Sequence, residues 1–126
     1  MITAAHPFLM FQGRCREALD VYAATVPGLT VTMLEAAPDG TVARARFAVA
    51  GLEVMAFDSP PVHDFGFTPA MSLFLTVEGT NEVDGLAEAL MADGGKPLMP
   101  PDAYGFSSRY AWVQDRFGVS WQINCP

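Results

Sequence analysis

The sequence predicts an α+β fold built from two copies of one strand-helix-strand-strand-strand unit, and three observations predict it. The apolar helix face Cys15, Ala18, Leu19 and Tyr22 recurs as Val83, Leu86, Ala87 and Leu90 at a constant offset of 68 residues. The segment GLEVMAFD from Gly51 superimposes on GVSWQINC from Gly118 at an offset of 67. Arg109 to Asn124 reads as an antiparallel hairpin, two alternating segments joined by Asp115, Arg116, Phe117 and Gly118, with the glycine supplying the positive φ such a turn needs. Self-similarity at one period marks a repeated supersecondary unit.

The elements follow in order. His6 to Phe11 is a short apolar strand that ends at Gly13. From Arg14 onward, apolar residues at three-and-four spacing through Val26 form one helix face, stopped by Pro27-Gly28. Leu29 to Glu35, Thr41 to Val49 and Leu52 to Asp58 are three strands, separated by Pro38-Asp39-Gly40 and Gly51. Ser59 to Pro69, with three prolines and no periodicity, is the connector. Met71 to Val77 resumes as a strand, the second helix carries Val83 to Leu90 and closes at Gly94-Gly95, and Pro97 to Ser108 is a loop that leads into the terminal hairpin. Module 1 spans about residues 4–60 and module 2 about 70–126 of a single domain.

In the last strand Val119, Trp121 and Ile123 alternate with Ser120, Gln122 and Asn124. One face is apolar and the other is a row of hydrogen-bonding side chains, which suits the lining of a pocket. The seven basic residues are scattered singly in a chain of formal charge -7, so no footprint for a phosphate backbone is visible and nucleic acid is excluded as a partner. No apolar run reaches the roughly 18 residues a membrane span needs, and MITAAHPF lacks the pattern of a signal peptide, so the expected location is cytoplasmic and no membrane partner is expected. Hydrophobic residues make up 51% and charged residues 17%, a balance that favours a well-buried sheet or self-association as a homodimer. Cys15 and Cys125 show neither zinc spacing nor a secretory context for a disulfide.

Three segments, FQGRCREALDVY from Phe11, HDFGFTPAMSLFLTV from His63 and YGFSSRYAWVQDRFGVSWQI from Tyr104, resemble the glyoxalase/bleomycin-resistance (vicinal oxygen chelate) superfamily, and more narrowly its PhnB-like branch, often labelled demethylubiquinone methyltransferase-like. The resemblance implies two βαβββ modules whose curved mixed sheets enclose a cavity, with helices outside, and a dimer. Metal-dependent members hold a divalent ion at the first and last strands of each module. Those positions map onto His6 or Pro7, depending on register, and onto Met55, Ser72 and Gln122. This set lacks the three or four histidine or carboxylate ligands such an ion needs, so no metal is expected and metal-dependent lyase, isomerase or dioxygenase chemistry is disfavoured. Nor is there the glycine-rich strand-to-helix turn of a doubly wound sheet by which common methyltransferases hold S-adenosylmethionine, so no cofactor is expected.

His6 and His63 are the side chains with an ordinary pKa near neutrality; each serves as an acid or base, or simply as a strand-start residue and, for His63 beside Asp64, a loop-fixing hydrogen bond. Asp58 is the third titratable candidate. Gln122 and Ser72, with Ser120 and Asn124, either hold a polar ligand or bond one another. Phe57, Phe74, Tyr104, Phe106, Tyr110 and Trp112 either stack on a flat ligand or pack a core or dimer interface, and Met55 lines the first module's share of the cavity. Trp121 packs against a helix and Cys15 is a buried small hydrophobe, while Arg116 is a solvated turn residue and Arg109 pairs with Asp115 across the hairpin. The expected function is binding of a small organic molecule, by an enzyme of unassigned reaction or by a non-catalytic drug- or metabolite-sequestering protein.

Overall fold

The computed structural model describes all residues from Met1 to Pro126. The chain divides into two compact units, Met1–Gly66 and Phe67–Pro126. The first contains β1 (Phe8–Phe11), α1 (Cys15–Thr25), β2 (Thr30–Ala36), β3 (Val42–Val49) and β4 (Leu52–Asp58), and the second β5 (Ser72–Thr76), α2 (Thr80–Met91), β6 (Lys96–Asp102), β7 (Arg109–Gln114) and β8 (Ser120–Cys125). Each unit is therefore strand-helix-strand-strand-strand, and each makes a four-stranded sheet of the same topology, β1-β4-β3-β2 and β5-β8-β7-β6. The outer pair β1 with β4, like β5 with β8, is parallel, and the other pairs are antiparallel, so both sheets are mixed.

In each unit the helix packs on one face of its own sheet. Cys15, Ala18, Leu19 and Tyr22 of α1 are fully buried with Ala45, Phe47, Val54 and Ala56 of the strands, and Tyr22 meets Phe47 edge-on at 6.0 Å. In the second unit Val83, Ala87 and Leu90 of α2 are buried with Ala111, Val113, Trp121 and Ile123. These are alternate residues of each strand, the inward set of a pleated sheet covered on one side.

The N-terminus of α1 is capped from a distance. Arg14 at the cap position provides no side-chain capping bond, its guanidinium being paired with Glu17. Instead Asp58, at the end of β4, accepts from the backbone N–H groups of Gly13 (2.8 Å) and Cys15 (3.0 Å) with one oxygen, and from Val42 N–H (2.9 Å) with the other. Helix α2 caps locally, with the Glu82 carboxylate accepting from Gly79 N–H at 2.8 Å. Its far end turns through Asp93 and Gly94, both at positive φ, and Gly95 N–H returns to the Met91 carbonyl. Gly95 is also a close approach, since a Cβ there would stand 2.6 Å from the Gln114 carbonyl oxygen of β7.

Three expectations need correction. Lys96–Asp102 is a strand and not part of a loop; its three prolines hide the signal, and they are tolerated because β6 lies at the sheet edge, where a missing N–H breaks no interior ladder. Arg109 does not pair with Asp115: it projects to the helix side and grips Asp84 of α2 with two bonds, 2.8 and 3.0 Å, while Asp115 is buried in the hairpin and accepts from Phe117 N–H, Val119 N–H and Trp121 Nε1. Arg116 is not a solvated turn residue, because its side chain is only 16% exposed and pairs with Asp93 at 3.3 Å.

Candidate ligand-binding face

Because the helix covers one side of each sheet, the polar and aromatic residues of alternate parity collect on the other. In the second unit the register lays out three rungs across this helix-distal face. The central one runs Phe74, Gln122, Trp112, Met99 over β5, β8, β7 and β6; on one side lie Ser72, Ser120, Gln114 and Lys96, and on the other Thr76, Asn124, Tyr110 and Asp102. Gln122 thus sits between two aromatic residues on neighbouring strands, about 4.8 Å away on each side at the backbone. Phe74 is more than half exposed, while Gln122 and Trp112 are half-buried.

Hydrogen bonds fix this face. The Tyr110 hydroxyl donates to Gln122 Oε1 at 2.6 Å, which orients the amide and leaves its Nε2 hydrogens to be offered outward. Tyr110 is 5% exposed, and burial, with Tyr104 close by, raises its pKa above the ordinary value, so the phenol stays a neutral donor. Trp112 Nε1 donates to Ser120 Oγ at 2.8 Å, and Ser120 shares a further 2.6 Å bond with Ser72. Asn124 Oδ1, by contrast, is buried and has no hydrogen-bond partner. Tyr104 and Phe106 follow β6 and gather on Tyr110, with ring centroids 5.9 and 5.0 Å from it and the two rings stacked at 6.1 Å; the Tyr104 hydroxyl is held by the Pro100 carbonyl.

The first unit has an equivalent face. Its central rung is Phe8, Met55, Arg46 and Met33, which stand in the places of Phe74, Gln122, Trp112 and Met99. This face carries two ion pairs, Arg46 of the central rung with Glu53 and Arg44 with Glu35. The register question at the N-terminus is answered here, for Phe8 pairs with Met55, and His6 shares the parity of Phe8 rather than that of the helix side. His6 lies just before β1 and its Nδ1 donates to the Glu53 carbonyl at 3.1 Å.

The predicted site residues fall into two groups. Gln122, Ser72, Phe74 and Trp112 share the helix-distal face of the second sheet, and Tyr104 and Phe106 stand at its Tyr110 end. Met55 belongs to the first unit's face, Asp58 is committed to three backbone N–H groups, and His63 lies in the connector, exposed. His63 does not meet Asp64 as expected; its ring lies 4.9 Å from Phe65, and its N–H donates to the Gln12 side chain, whose amide also donates to the Phe65 carbonyl. Met99 was hidden with its strand, although the 66-residue offset from Met33 could have revealed it. The orienting role of Tyr110 is a matter of cross-strand register and leaves no motif.

The positions that carry a metal in metal-dependent glyoxalase-like proteins do not fit one here. In the first unit they offer the His6 imidazole and the Met55 thioether, in the second the Ser72 hydroxyl and the Gln122 amide, and no three His, Cys, Asp or Glu side chains come together. No helix is long and apolar enough to cross a membrane.

Comparisons with known proteins agree with this architecture. Residues 3–124 match the family described as 3-demethylubiquinone-9 3-methyltransferase. The PhnB protein of Bacillus cereus, which carries the same family description, is 36% identical in sequence, with a TM-score of 0.90 over 98% of this chain and 100% of its own. Protein YjdN of Escherichia coli is 27% identical over 140 residues, covering 94% of this chain and 92% of its own. A glyoxalase-related enzyme from Fulvimarina pelagi, 19% identical, shares the fold at a TM-score of 0.68 over 98% of this chain and 89% of its own.

Proposed function

The chain belongs to the PhnB-like family described as 3-demethylubiquinone-9 3-methyltransferase, within the glyoxalase/bleomycin-resistance superfamily, and on that premise we propose that it binds a small organic molecule on the helix-distal face of its second sheet. One observation carries the reading. Gln122, held by Tyr110, presents amide donors between the rings of Phe74 and Trp112, a few directed polar atoms set among apolar walls as in small-molecule sites. Ser72 contributes by fixing Ser120 and through it Trp112, and Tyr104 and Phe106 wall the Tyr110 end. The family description names a methyltransferase, but neither four-stranded mixed sheet has the doubly wound parallel form in which common methyltransferases hold S-adenosylmethionine.

Sequestration is favoured over catalysis on this face. Its one acid-base group on the three strands away from β6 is Tyr110, whose hydroxyl is already engaged and whose pKa burial raises. A second reading, an enzyme, draws support from His6, whose Nδ1 bond to the Glu53 carbonyl leaves Nε2 as the ring nitrogen not engaged there. Self-association as a homodimer is part of the proposal, supported by the exposed side chains Val62, Phe65 and Met71. Light scattering on the purified protein checks that part.

The direct test is a thermal-shift screen with small organic molecules and divalent ions, repeated on Trp112→Ala and Gln122→Ala. Organic hits that stabilise the native chain and lose that effect in both variants support the reading, because a ligand specific for the folded state raises its melting temperature. Hits that survive both substitutions remove the site from this face, and strong stabilisation by a divalent ion at stoichiometric amounts overturns the metal-free assignment.

A further inference from the structure

We infer that the second unit's helix-distal face selects an uncharged, planar organic molecule bearing both a hydrogen-bond acceptor and a donor, the chemistry of an aromatic carboxamide rather than a carboxylate. The inference rests on the reading that this face binds a small molecule, and it names the ligand class.

Two independent features carry it. The first is charge. On β5, β8 and β7 no side chain of this face ionises at neutral pH; the charged residues of its three rungs, Lys96 and Asp102, stand exposed at opposite ends of the edge strand β6. An ion pressed against Phe74, Trp112 and Gln122 would lose hydration with no opposite charge on β5, β7 or β8 to replace it, which costs far more than desolvating a neutral amide. The equivalent face of the first unit differs on this point, carrying two arginines, each already paired with a glutamate.

The second feature is the pattern of committed and uncommitted atoms. Tyr110 occupies Gln122 Oε1, so Gln122 presents donors and calls for a ligand acceptor. Asn124, two residues along the same strand and on the same face, keeps Oδ1 buried without a partner. A buried acceptor left unsatisfied is costly, and a ligand N–H satisfies it once the side chains that cover Oδ1 move aside. Two residues of one strand with side chains on one face stand about 6–7 Å apart at the backbone, a separation that one carboxamide group can bridge through both side chains. The rings flanking Gln122 supply the surface on which a flat body stacks.

The experiment is calorimetric titration of the full chain with matched pairs, nicotinamide against nicotinate and benzamide against benzoate, on the native protein and on Gln122→Lys. Should that variant fold poorly, Thr76→Lys places an ammonium at an exposed position of the same face. The expected result is that each amide binds at least about tenfold tighter than its acid, and that the added lysine reverses the order. Acids that bind as tightly as amides, or an order that the lysine leaves unchanged, overturn the inference. So does the absence of measurable binding by all four probes up to about 10 mM. If the inference fails in any of these ways while other organic hits still depend on Trp112, the face remains the binding site and only its neutral preference falls; if no hit depends on Trp112, the underlying reading falls as well.

Discussion

Tyr110 makes a bond whose loss has two separable effects. Tyr110→Phe keeps the ring against Tyr104 and Phe106 and removes the hydroxyl that donates to Gln122. We predict a stability loss of about 1 kcal/mol in urea unfolding, together with weaker binding of any ligand that uses the Gln122 amide, since the amide is then free to rotate. Asp58 behaves differently, because its carboxylate serves three backbone N–H groups. Asp58→Ala is predicted to cost about 2–4 kcal/mol while ligand affinity of the folded protein stays unchanged. An equal loss of affinity would show that Asp58 acts at a ligand instead.

At the scale of elements, the turns carry their own tests. Val49 and Leu52 close a two-residue hairpin through Ala50 and Gly51, both at positive φ, the type I′ arrangement in which alanine is poorly suited. Ala50→Gly or Ala50→Asn is predicted to stabilise the protein by about 0.5–1 kcal/mol, measured as a raised unfolding midpoint. Gly95→Ala runs the other way: its Cβ would collide with the backbone of Met91 and Gln114, for an expected loss of about 1–3 kcal/mol. Gly94-Gly95 was legible as a helix stop, but the close approach of Gly95 to β7 was not, because nothing local in the sequence records which strand passes there.

The same distinction explains what else could be read in advance. Helix faces and strands with strict periodicity, such as Cys15 to Tyr22 and Ser120 to Asn124, announced themselves because burial on one side imposes the pattern. Strand β6 did not, since Pro97, Pro100 and Pro101 argue locally against a strand and only its edge position permits them. In the candidate site, Gln122 was visible from the alternation of its strand, Ser72 from the family resemblance, and Phe74 and Trp112 as members of an aromatic group. The bonds that tie Tyr110 to Gln122 and Trp112 to Ser120 were not, because they depend on cross-strand register and on which rotamers the neighbours leave open.

For the whole molecule, the buried titratable groups set a limit at high pH. Burial first, and then the charge of Asp58, push the Cys15 thiol from 9.0 up to about 12, with Arg16 opposing. The Tyr110 phenol is raised as well. Both groups hold their protons longer when folded than when unfolded, so the thiol's contribution is complete below about pH 9 and is lost as pH climbs towards 12, at up to about 1.4 kcal/mol per pH unit, and the phenol's is complete below about pH 10 and is lost above it. Unfolding midpoints are predicted to be insensitive to these groups from pH 7 to about 8.5 and to fall above pH 9, less steeply in Cys15→Ala. The native thiol should also resist alkylation at neutral pH, because the reactive thiolate is scarce and Cys15 is fully buried.

The central claim is that a small molecule binds the helix-distal face of the second sheet, and the chain's two tryptophans stand on opposite sides of that sheet to report on it. Trp112 shares the rung of Gln122 and donates to Ser120, whereas Trp121 is fully buried on the helix side and donates to Asp115. Their indole N–H signals in a proton–nitrogen correlation spectrum, followed while a stabilising organic ligand is titrated in, are the most direct measurement. The predicted result is a saturable shift of the Trp112 signal with Trp121 nearly still. A ligand that stabilises the protein while leaving Trp112 unmoved, or that moves Trp121 alone, would contradict the account.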